Sequence, residues 1–300
     1  MNVDHFYTIG DSHQECQDYA ISKVFDNGVA FACVADGCSG SHDVCRSVDV
    51  GARILALSAE FIIQTMTQGM DDPMGFLYHE FYVLKRQKRL GDKILSKAIE
   101  MANPLLTAGI LREESFDSTL VFSIAKDNKA LIYCFGDGVA VVKNSVVSSV
   151  YEVRFSSGAP YYLSYKMDTQ RNAIYHGLKN NTLFVTTDVQ GENSHTNSIL
   201  PVQLNDWDNV SPYEFSSLYI DDTMGFDTIS VMSDGVGSFE EDGKSKNIIE
   251  MTREATAFKN FNGIFVQRRM RKFLKVSERK GISHYDDFSI ATIHNDSQVT

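Results

Sequence analysis

Short apolar runs recur along the chain and narrow the folds it can adopt. They are rich in Val, Ile, Phe and Thr and too short for buried helices, so they predict β-strands. The runs lie at 29–35, 119–125, 131–135, 139–142, 182–187, 229–233 and 288–293. Because many are apolar at consecutive positions, both faces of their sheets are expected to be covered.

The segments between several of these runs have the apolar spacing of amphipathic helices. One such pattern runs over 43–62, a second over about 76–101, and a third, alternating apolar and basic residues, over 246–280. Strands followed by helices, more strands, further helices and a last strand predict an α+β layered domain. Residues 143–227, rich in Tyr, Asn, Asp and Ser, are expected to be irregular loops that shape a site.

The amino-acid composition limits the partners that the protein is expected to bind and indicates its cellular compartment. The 300 residues are 43% hydrophobic and carry a net charge of −11, so nucleic acid and anionic membranes are not expected as partners. Five cysteines, mostly in or beside apolar runs, predict buried thiols in a reducing compartment. With no signal peptide or membrane-spanning run in the sequence, a cytoplasmic protein is expected. Cys33, Cys38 and Cys45 with His42 match no common zinc-ligand spacing.

Aspartates mark the ends of the apolar runs. Asp36, Asp137 and Asp234 each follow a run, whereas Asp286 and Asp287 precede the last one. The end of one antiparallel strand lies beside the start of the next, so these carboxylates are expected to meet at one sheet edge. Clustered carboxylates repel one another unless divalent cations lie between them, and all-oxygen ligation suits Mg²⁺ or Mn²⁺.

Glycine follows three of these acids, which leaves two interpretations open. An Asp-Gly pair is a strong hairpin signal, and Asp137-Gly138 lies between two strand-like runs, which favours a hairpin there. The pair at 36–37 leads into a helical pattern and the pair at 234–235 into a segment unlike a strand, so a metal site is favoured at both. Glycine also lets the backbone approach an ion closely, and its carbonyl can be a ligand.

Six motifs, in order, resemble those of the PP2C (PPM) metal-dependent protein phosphatases. They are CQDYA (16–20), VADGCSG (34–40), FDSTLVF (116–122), CFGDGVAVV (134–142), VMSDGVGSF (231–239) and YDDFSIATI (285–293). Each match is loose, but their common order over residues 10–293 is specific, and GDSHQECQDYA looks like a bacterial subgroup. The resemblance implies a divergent member with one domain over 1–300 and a variable segment at 143–227. The implied fold is a four-layer αββα sandwich with two central antiparallel sheets flanked by helices.

The resemblance also implies metal ligands. Asp36 would bridge two Mg²⁺ or Mn²⁺ ions, and the Gly37 carbonyl would ligate one of them. Asp234 and Asp286 would complete the shell of one ion, and Asp18 would hold metal-bound waters.

A third ion, shared by Asp137 and Asp234, is a further option. Asp287 stands where the family usually has Asn and is the less favoured ligand. Asp188 competes with Asp234 but lacks the glycine that follows it.

The implied activity is hydrolysis of phosphoserine or phosphothreonine in proteins, possible targets of a Ser/Thr kinase, by a water activated between the two metals. The catalytic residues would be Asp18, Asp36 and His13. His13 and Gln14 stand where many members have a phosphate-binding arginine, and His13 could donate a hydrogen bond to phosphate or be a surface or capping residue. Two alternatives remain: a weakly catalytic pseudo-phosphatase acting as a regulatory binding module, and a phosphoesterase for small molecules.

Several further residues and two basic clusters can each be interpreted in two ways. Cys38 stands where some members carry a histidine, and His42 could replace it if the loop folds back. A cysteine phosphatase is disfavoured because the loop lacks a phosphate-binding arginine. His284 either supports the neighbouring acids or is a surface residue. The basic clusters at 85–89 and 268–272 either dock an acidic partner or phosphopeptide, or are solvated helix faces.

Overall fold

The computed structural model describes residues 1–38, 48–83, 87–178, 183–191, 216–221, 223 and 225–296. The strands are β1 Asn2–Thr8, β2 Asp18–Val24, β3 Ala30–Gly37, β4 Ser118–Lys126, β5 Lys129–Phe135, β6 Gly138–Lys143, β7 Val147–Phe155, β8 Leu183–Gly191, β9 Ser216–Ile220, β10 Thr228–Met232, β11 Phe239–Glu241, β12 Lys244–Ser245, β13 Ile282–His284 and β14 Phe288–His294. The helices are α1 Val48–Thr67, α2 Pro73–Leu77, α3 Gln87–Thr107, α4 Thr169–His176, α5 Ile248–Ala255 and α6 Phe265–Arg279.

Two antiparallel sheets form the centre of the molecule. One has six strands in the order β1-β14-β10-β6-β7-β8, and the other has five in the order β2-β3-β4-β5-β9. A small sheet, β12-β11-β13, lies at the end of the first, between Asp234 and Asp286 in the chain. The seven apolar runs fall in strands of the two large sheets, apart from residues 29 and 233, which lie just outside β3 and β10, and residue 182, which lies outside the described residues.

Three separate apolar cores make four layers. Alternate residues of β3 show why its run is apolar throughout. Phe31 packs with α1 and α3, whereas its neighbour Ala32 packs against the other sheet. On the far side of the six-stranded sheet, Ile290 packs with α5 and α6. The order helices, sheet, sheet, helices confirms the predicted α+β sandwich.

The helical patterns are interrupted where the sequence analysis has them continuous. The segment predicted over 76–101 is divided into α2, a π-helical stretch at Tyr78–Val83 and α3. The pattern over 246–280 forms two helices, α5 and α6, separated by a loop in which Gly263 has φ +57°. A glycine in this left-handed conformation ends helical periodicity without the steric cost that other residues would have. The start of the first pattern, before Val48, lies outside the described residues.

The predicted hairpin at Asp137-Gly138 is wrong. β5 pairs with β4 and β9, whereas β6 pairs with β10 and β7, so this turn carries the chain from one sheet to the other. The turn depends on Gly138, whose φ is +144° and whose added Cβ would lie 2.9 Å from the Met232 carbonyl oxygen. Strand-like sequence on both sides of Asp-Gly therefore does not establish that the two strands pair.

The expectation that 143–227 is irregular is wrong for much of its described part. β7 spans nine residues and pairs with both β6 and β8, and the short helix α4 lies between β7 and β8. Across the described residues, no helix combines the length and apolar character that crossing a membrane requires.

Candidate metal centre

The strand pairings gather five of the predicted metal ligands at one end of the sandwich. Asp18 begins β2 and lies directly opposite Asp36 of β3. In the other sheet, Met232 at the end of β10 pairs with residues at the starts of both β6 and β14. The acids next to these three strand ends are Asp137, Asp234 and Asp286. The two sheets thus bring together residues more than 250 positions apart.

Asp18 is the most deeply buried acid of this group, with 3% of its surface exposed. Neither of its carboxylate oxygens has a hydrogen bond of normal geometry within the described part of the chain. Burial raises its pKa to about 7, although the nearby hydroxyls of Ser289 and Ser233 lower it in part. Burial, with the charges of Asp18 and Asp234, holds the pKa of Asp36 well above its ordinary value.

The remaining acids repel one another across the same space. Burial, followed by the charges of Asp234 and Asp286, raises the pKa of Asp137 to about 7. Burial and the charge of Asp234 also raise the pKa of Asp286. These shifts reflect burial first and, after it, the negative charge that the acids place on one another.

A close approach of two backbones fixes Asp234 beside Asp286. The turn that begins at Asp234 is held by Ser238, whose hydroxyl donates to the Gly235 carbonyl at 2.8 Å and accepts from the Asp286 amide at 3.2 Å. A Cβ on Gly235 would lie only 1.8 Å from the Asp287 carbonyl oxygen. The glycine after Asp234 is therefore required by packing against β14.

The Asp287 side chain accepts hydrogen bonds from the backbone, whereas the Asp286 side chain lies beside the other acids of the cluster. The buried Asp287 carboxylate accepts the amides of Gly10 at 2.8 Å and Gln17 at 2.5 Å. His13 lies against both acids, with Nδ1 3.1 Å from Asp287 Oδ1 and Nε2 3.6 Å from Asp286 Oδ1. Both ring nitrogens thus lie near carboxylate oxygens. This arrangement suits an orienting role better than the predicted hydrogen bond to phosphate.

Other candidate residues lie apart from the cluster or outside the described residues. Asp188 is in β8, at the sheet edge, and pairs with Arg253 of α5. The His284 ring stacks on Phe239, with centroids 5.1 Å apart. His42 lies outside the described residues.

Comparison with known proteins decides the family. A sequence profile of the family described as Protein phosphatase 2C matches residues 9–275. The chain belongs to the protein phosphatase 2C family. No curated protein sequence matches it.

Solved structures of bacterial phosphatases share the fold of this protein phosphatase 2C chain. A bacterial serine phosphatase is 11% identical, with a TM-score of 0.51 over 99% of this chain and 98% of its own. The serine/threonine phosphatase Stp1 from Staphylococcus aureus is 12% identical, with a TM-score of 0.51 over 98% of this chain and 95% of its own. At such low identity the likeness shows the fold alone.

The donor set of this protein phosphatase 2C centre fits hard divalent cations. All five acids supply oxygen, which Mg²⁺ and Mn²⁺ prefer, and within the described residues the buried Asp18 oxygens form no hydrogen bond of normal geometry. In the described residues, no three His, Cys, Asp or Glu side chains are already spaced to hold an ion. The acids therefore form a cluster rather than a finished coordination shell.

Gly37 and Cys38, at the end of β3, are held by residues to which the sequence analysis gave no role. The Gly37 amide donates to the Gln17 carbonyl at 3.3 Å, and the Cys38 amide donates to the Asp117 carbonyl at 2.8 Å. Tyr162 lies beside Cys38. Burial, together with the charges of Cys38, Asp137 and Asp36, raises its pKa well above the ordinary value.

An ion pair between the buried Asp117 and the partly exposed Arg171 ties this end of β3 to the segment that carries Tyr162. The Asp117 carboxylate accepts the Ser164 hydroxyl and an Arg171 guanidinium N–H, each at 2.5 Å. Arg171 also lies over the Tyr165 ring, 5.0 Å from its centroid. Asp117 lies in the motif at 116–122 but was given no role, and no sequence pattern marked Ser164 or Arg171, because 163–171 has neither strand nor helix periodicity.

Proposed function

We propose that this protein is a metal-dependent phosphatase that hydrolyses phosphoserine or phosphothreonine in proteins. The observation that carries the proposal is the Asp18–Asp36 pair, which two neighbouring strands hold opposite each other. The Asp18 oxygens are buried and form no hydrogen bond of normal geometry in the part of the chain that the structure describes. Such a pair is costly in a metal-free protein and becomes favourable when cations occupy the space between the acids.

The protein's own residues would bind and orient the reactants. Asp36 would bridge two Mg²⁺ or Mn²⁺ ions with the help of the Gly37 carbonyl, and Asp234 and Asp286 would complete one shell. Asp18 would accept hydrogen bonds from water held at the centre and so orient it. When bound, the ions would lower the pKa of water and neutralise charge on the phosphoryl oxygens.

Two residues would adjust this centre. Asp137, next to Asp234, is the candidate ligand of a third ion. His13, held by Asp286 and Asp287, would limit the rotation of the Asp286 carboxylate.

A weakly catalytic regulatory module is the second candidate function. It is favoured by the position of His13, which stands where many relatives have a phosphate-binding arginine and which is engaged by two carboxylates. Such a module would bind Mn²⁺ and phosphoprotein but turn over slowly.

The proposal also covers the compartment, the domain organisation and the partners of the protein. We place it in the cytoplasm as a single domain over 1–300, with phosphoproteins, targets of a Ser/Thr kinase, as partners. Free thiols at Cys16, Cys33, Cys38 and Cys134 support a reducing compartment. The three apolar cores support one domain, because the two central sheets share their middle core.

Metal-dependent hydrolysis tests the proposed function. With Mn²⁺, we expect turnover of p-nitrophenyl phosphate and of a phosphothreonine peptide, and Asp36→Asn should lower kcat at least about 100-fold. Asp26→Asn is the matched control, because Asp26 is an exposed residue in the turn at the other end of the β2–β3 hairpin. Mn²⁺ binding is measured separately by calorimetry. Binding without turnover in the wild type would select the regulatory module, and neither binding nor turnover would reject both functions.

A further inference from the structure

Helix α6 carries a concentrated positive charge on an acidic protein. Residues 265–280 contain seven basic residues and one acidic residue, a net charge of +6. Because the whole chain has a net charge of −11, the rest carries −17. So large a local reversal of sign requires an explanation.

Five of these basic residues form one exposed stripe. The basic stripe consists of Arg268, Arg271, Lys272, Lys275 and Arg279. At about 100° and 1.5 Å per residue, they fall within an arc of about 100° and extend for about 16 Å. The opposite face of the helix, with Met270, Phe273 and Ser277, is buried.

The charge of the basic stripe is not neutralised by the described residues. Four of its members form no ion pair there, although ion pairs are common elsewhere on the described surface. The fifth, Arg268, bonds to the side chain of Asn260 and the carbonyl of Asn262, which are both neutral. A neighbour off the stripe, Arg269, instead bonds to backbone carbonyls at the end of α5.

The basic stripe leads towards the metal centre. α6 is followed by β13, which pairs with β11, and β11 lies just after Asp234 in the chain. Asp286 is two residues beyond β13. From Arg279 to Asp286 the chain can span at most about 25 Å. A bound peptide of moderate length can therefore contact both the stripe and the centre.

We propose that the basic stripe docks an acidic segment of the phosphoprotein substrate, an inference that rests on the proposed function. About five extended residues match its length of about 16 Å, so a run of Asp and Glu could place a carboxylate opposite most of its cations. A short peptide can reach the stripe without approaching the acidic body of the protein. A membrane or a nucleic acid would be repelled by that body, and the stripe has no aromatic side chain to insert or to stack on bases.

Peptide binding tests the docking separately from catalysis. The probe is a fluorescein-labelled, unphosphorylated peptide with a run of five glutamates, compared with the same peptide carrying glutamines. The test variant combines Arg271→Gln, Lys272→Gln and Lys275→Gln. The control variant combines Lys23→Gln, Lys93→Gln and Arg154→Gln, which remove the same charge from other exposed positions.

We expect the acidic peptide to bind the wild type and the control variant, and the test variant about tenfold more weakly, with the difference lost at about 0.5 M salt. Equal binding by both variants would overturn the docking, as would tighter binding of phosphatidylserine vesicles or duplex DNA than of the peptide. Since the probe carries no phosphate, this result does not depend on turnover.

Kinetics on phosphorylated substrates then connect the stripe to the reaction. For a phosphothreonine peptide with the acidic run, we expect KM to rise about tenfold in the test variant while kcat is unchanged. For p-nitrophenyl phosphate, neither constant should change. Equal losses on both substrates would contradict docking, whereas no turnover by the wild type would reject the proposed function and leave the binding result standing.

Discussion

Asp286 and Asp287 are adjacent in the chain, but their surroundings differ. The Asp286 side chain is 44% exposed and faces other acids, whereas the Asp287 side chain is 1% exposed. Asp287 accepts two backbone amides that lie before β2, so it joins the start of β14 to the loop that precedes Asp18. A carboxylate has two acceptor oxygens and can satisfy both amides, whereas an asparagine at this position would offer only one.

Substitution of the two acids should separate stability from metal affinity. Asp287→Ala leaves two buried amides unpaired, so we expect the free energy of unfolding to fall by about 3 kcal/mol or more. Asp286→Ala should change stability by less than about 1 kcal/mol while weakening Mn²⁺ binding. Urea unfolding and calorimetric titration measure the two effects. Equal losses of stability in both variants would contradict this division.

The aspartates of the site could be selected from the sequence because strand ends and antiparallel pairing are local signals. Asp18 and Asp36 face each other because β2 begins at Asp18 and its antiparallel partner β3 ends just after Asp36. Tyr162 and Asp117 could not be found in this way. Their contacts depend on how a segment without periodicity packs onto β4, and nothing in its composition indicates that packing.

Besides the buried Leu163 and Tyr175, two ion pairs attach the segment from Leu163 to His176 to the sandwich. Its buried link is the pair of Asp117 and Arg171, and its exposed link is the pair of Lys166 and Asp92 at 2.7 Å. A buried carboxylate that loses its cation is strongly destabilised, whereas an exposed pair contributes little. The two links should therefore respond differently to the same kind of substitution.

Removal of the Arg171 cation from beside the buried Asp117 should release this segment. We expect Arg171→Met to lower stability by about 3 kcal/mol and to speed amide exchange in α4, while Lys166→Met changes stability by less than about 1 kcal/mol. The double variant Asp117→Asn, Arg171→Met should recover part of the loss, because no unpaired buried charge remains. Hydrogen exchange measured by mass spectrometry locates the effect. Unchanged exchange in α4 would show that other contacts hold the segment.

The layer order follows from patterns that the sequence displays, but the assignment of strands to sheets does not. Runs such as 29–35 are apolar on both faces, so a layer on each side was predictable. β5 and β6 read as a hairpin, yet they belong to different sheets, because Gly136 and Gly138 turn the chain between them. Strand exchange of this kind depends on long-range pairing and not on local preference.

The metal-free molecule carries its acidic cluster where the two sheets meet, so its stability should depend on pH. Burial raises the pKa of Asp18 from its ordinary 3.8 to about 7 in the folded protein. Between these values the folded state holds a proton that the unfolded state has lost. The contribution of Asp18 to the free energy of unfolding must therefore fall as pH rises from about 4 to about 7 and level off above that range.

Thermal unfolding in EDTA measures this dependence. We expect the Tm of the wild type to be several degrees lower at about pH 8 than at about pH 5.5, since 1 kcal/mol moves Tm by about 2–4 °C in a large domain. Asp18→Asn should flatten the slope, because asparagine loses no proton, and Asp26→Asn should leave it unchanged. Mn²⁺ should raise Tm more at the higher pH, where the acids are ionised and bind cations best. A slope that is the same in Asp18→Asn and the wild type would show that Asp18 does not contribute to the pH dependence. The half-buried histidines His5 and His284, whose pKa values are lowered by burial, contribute only a slope of opposite sign.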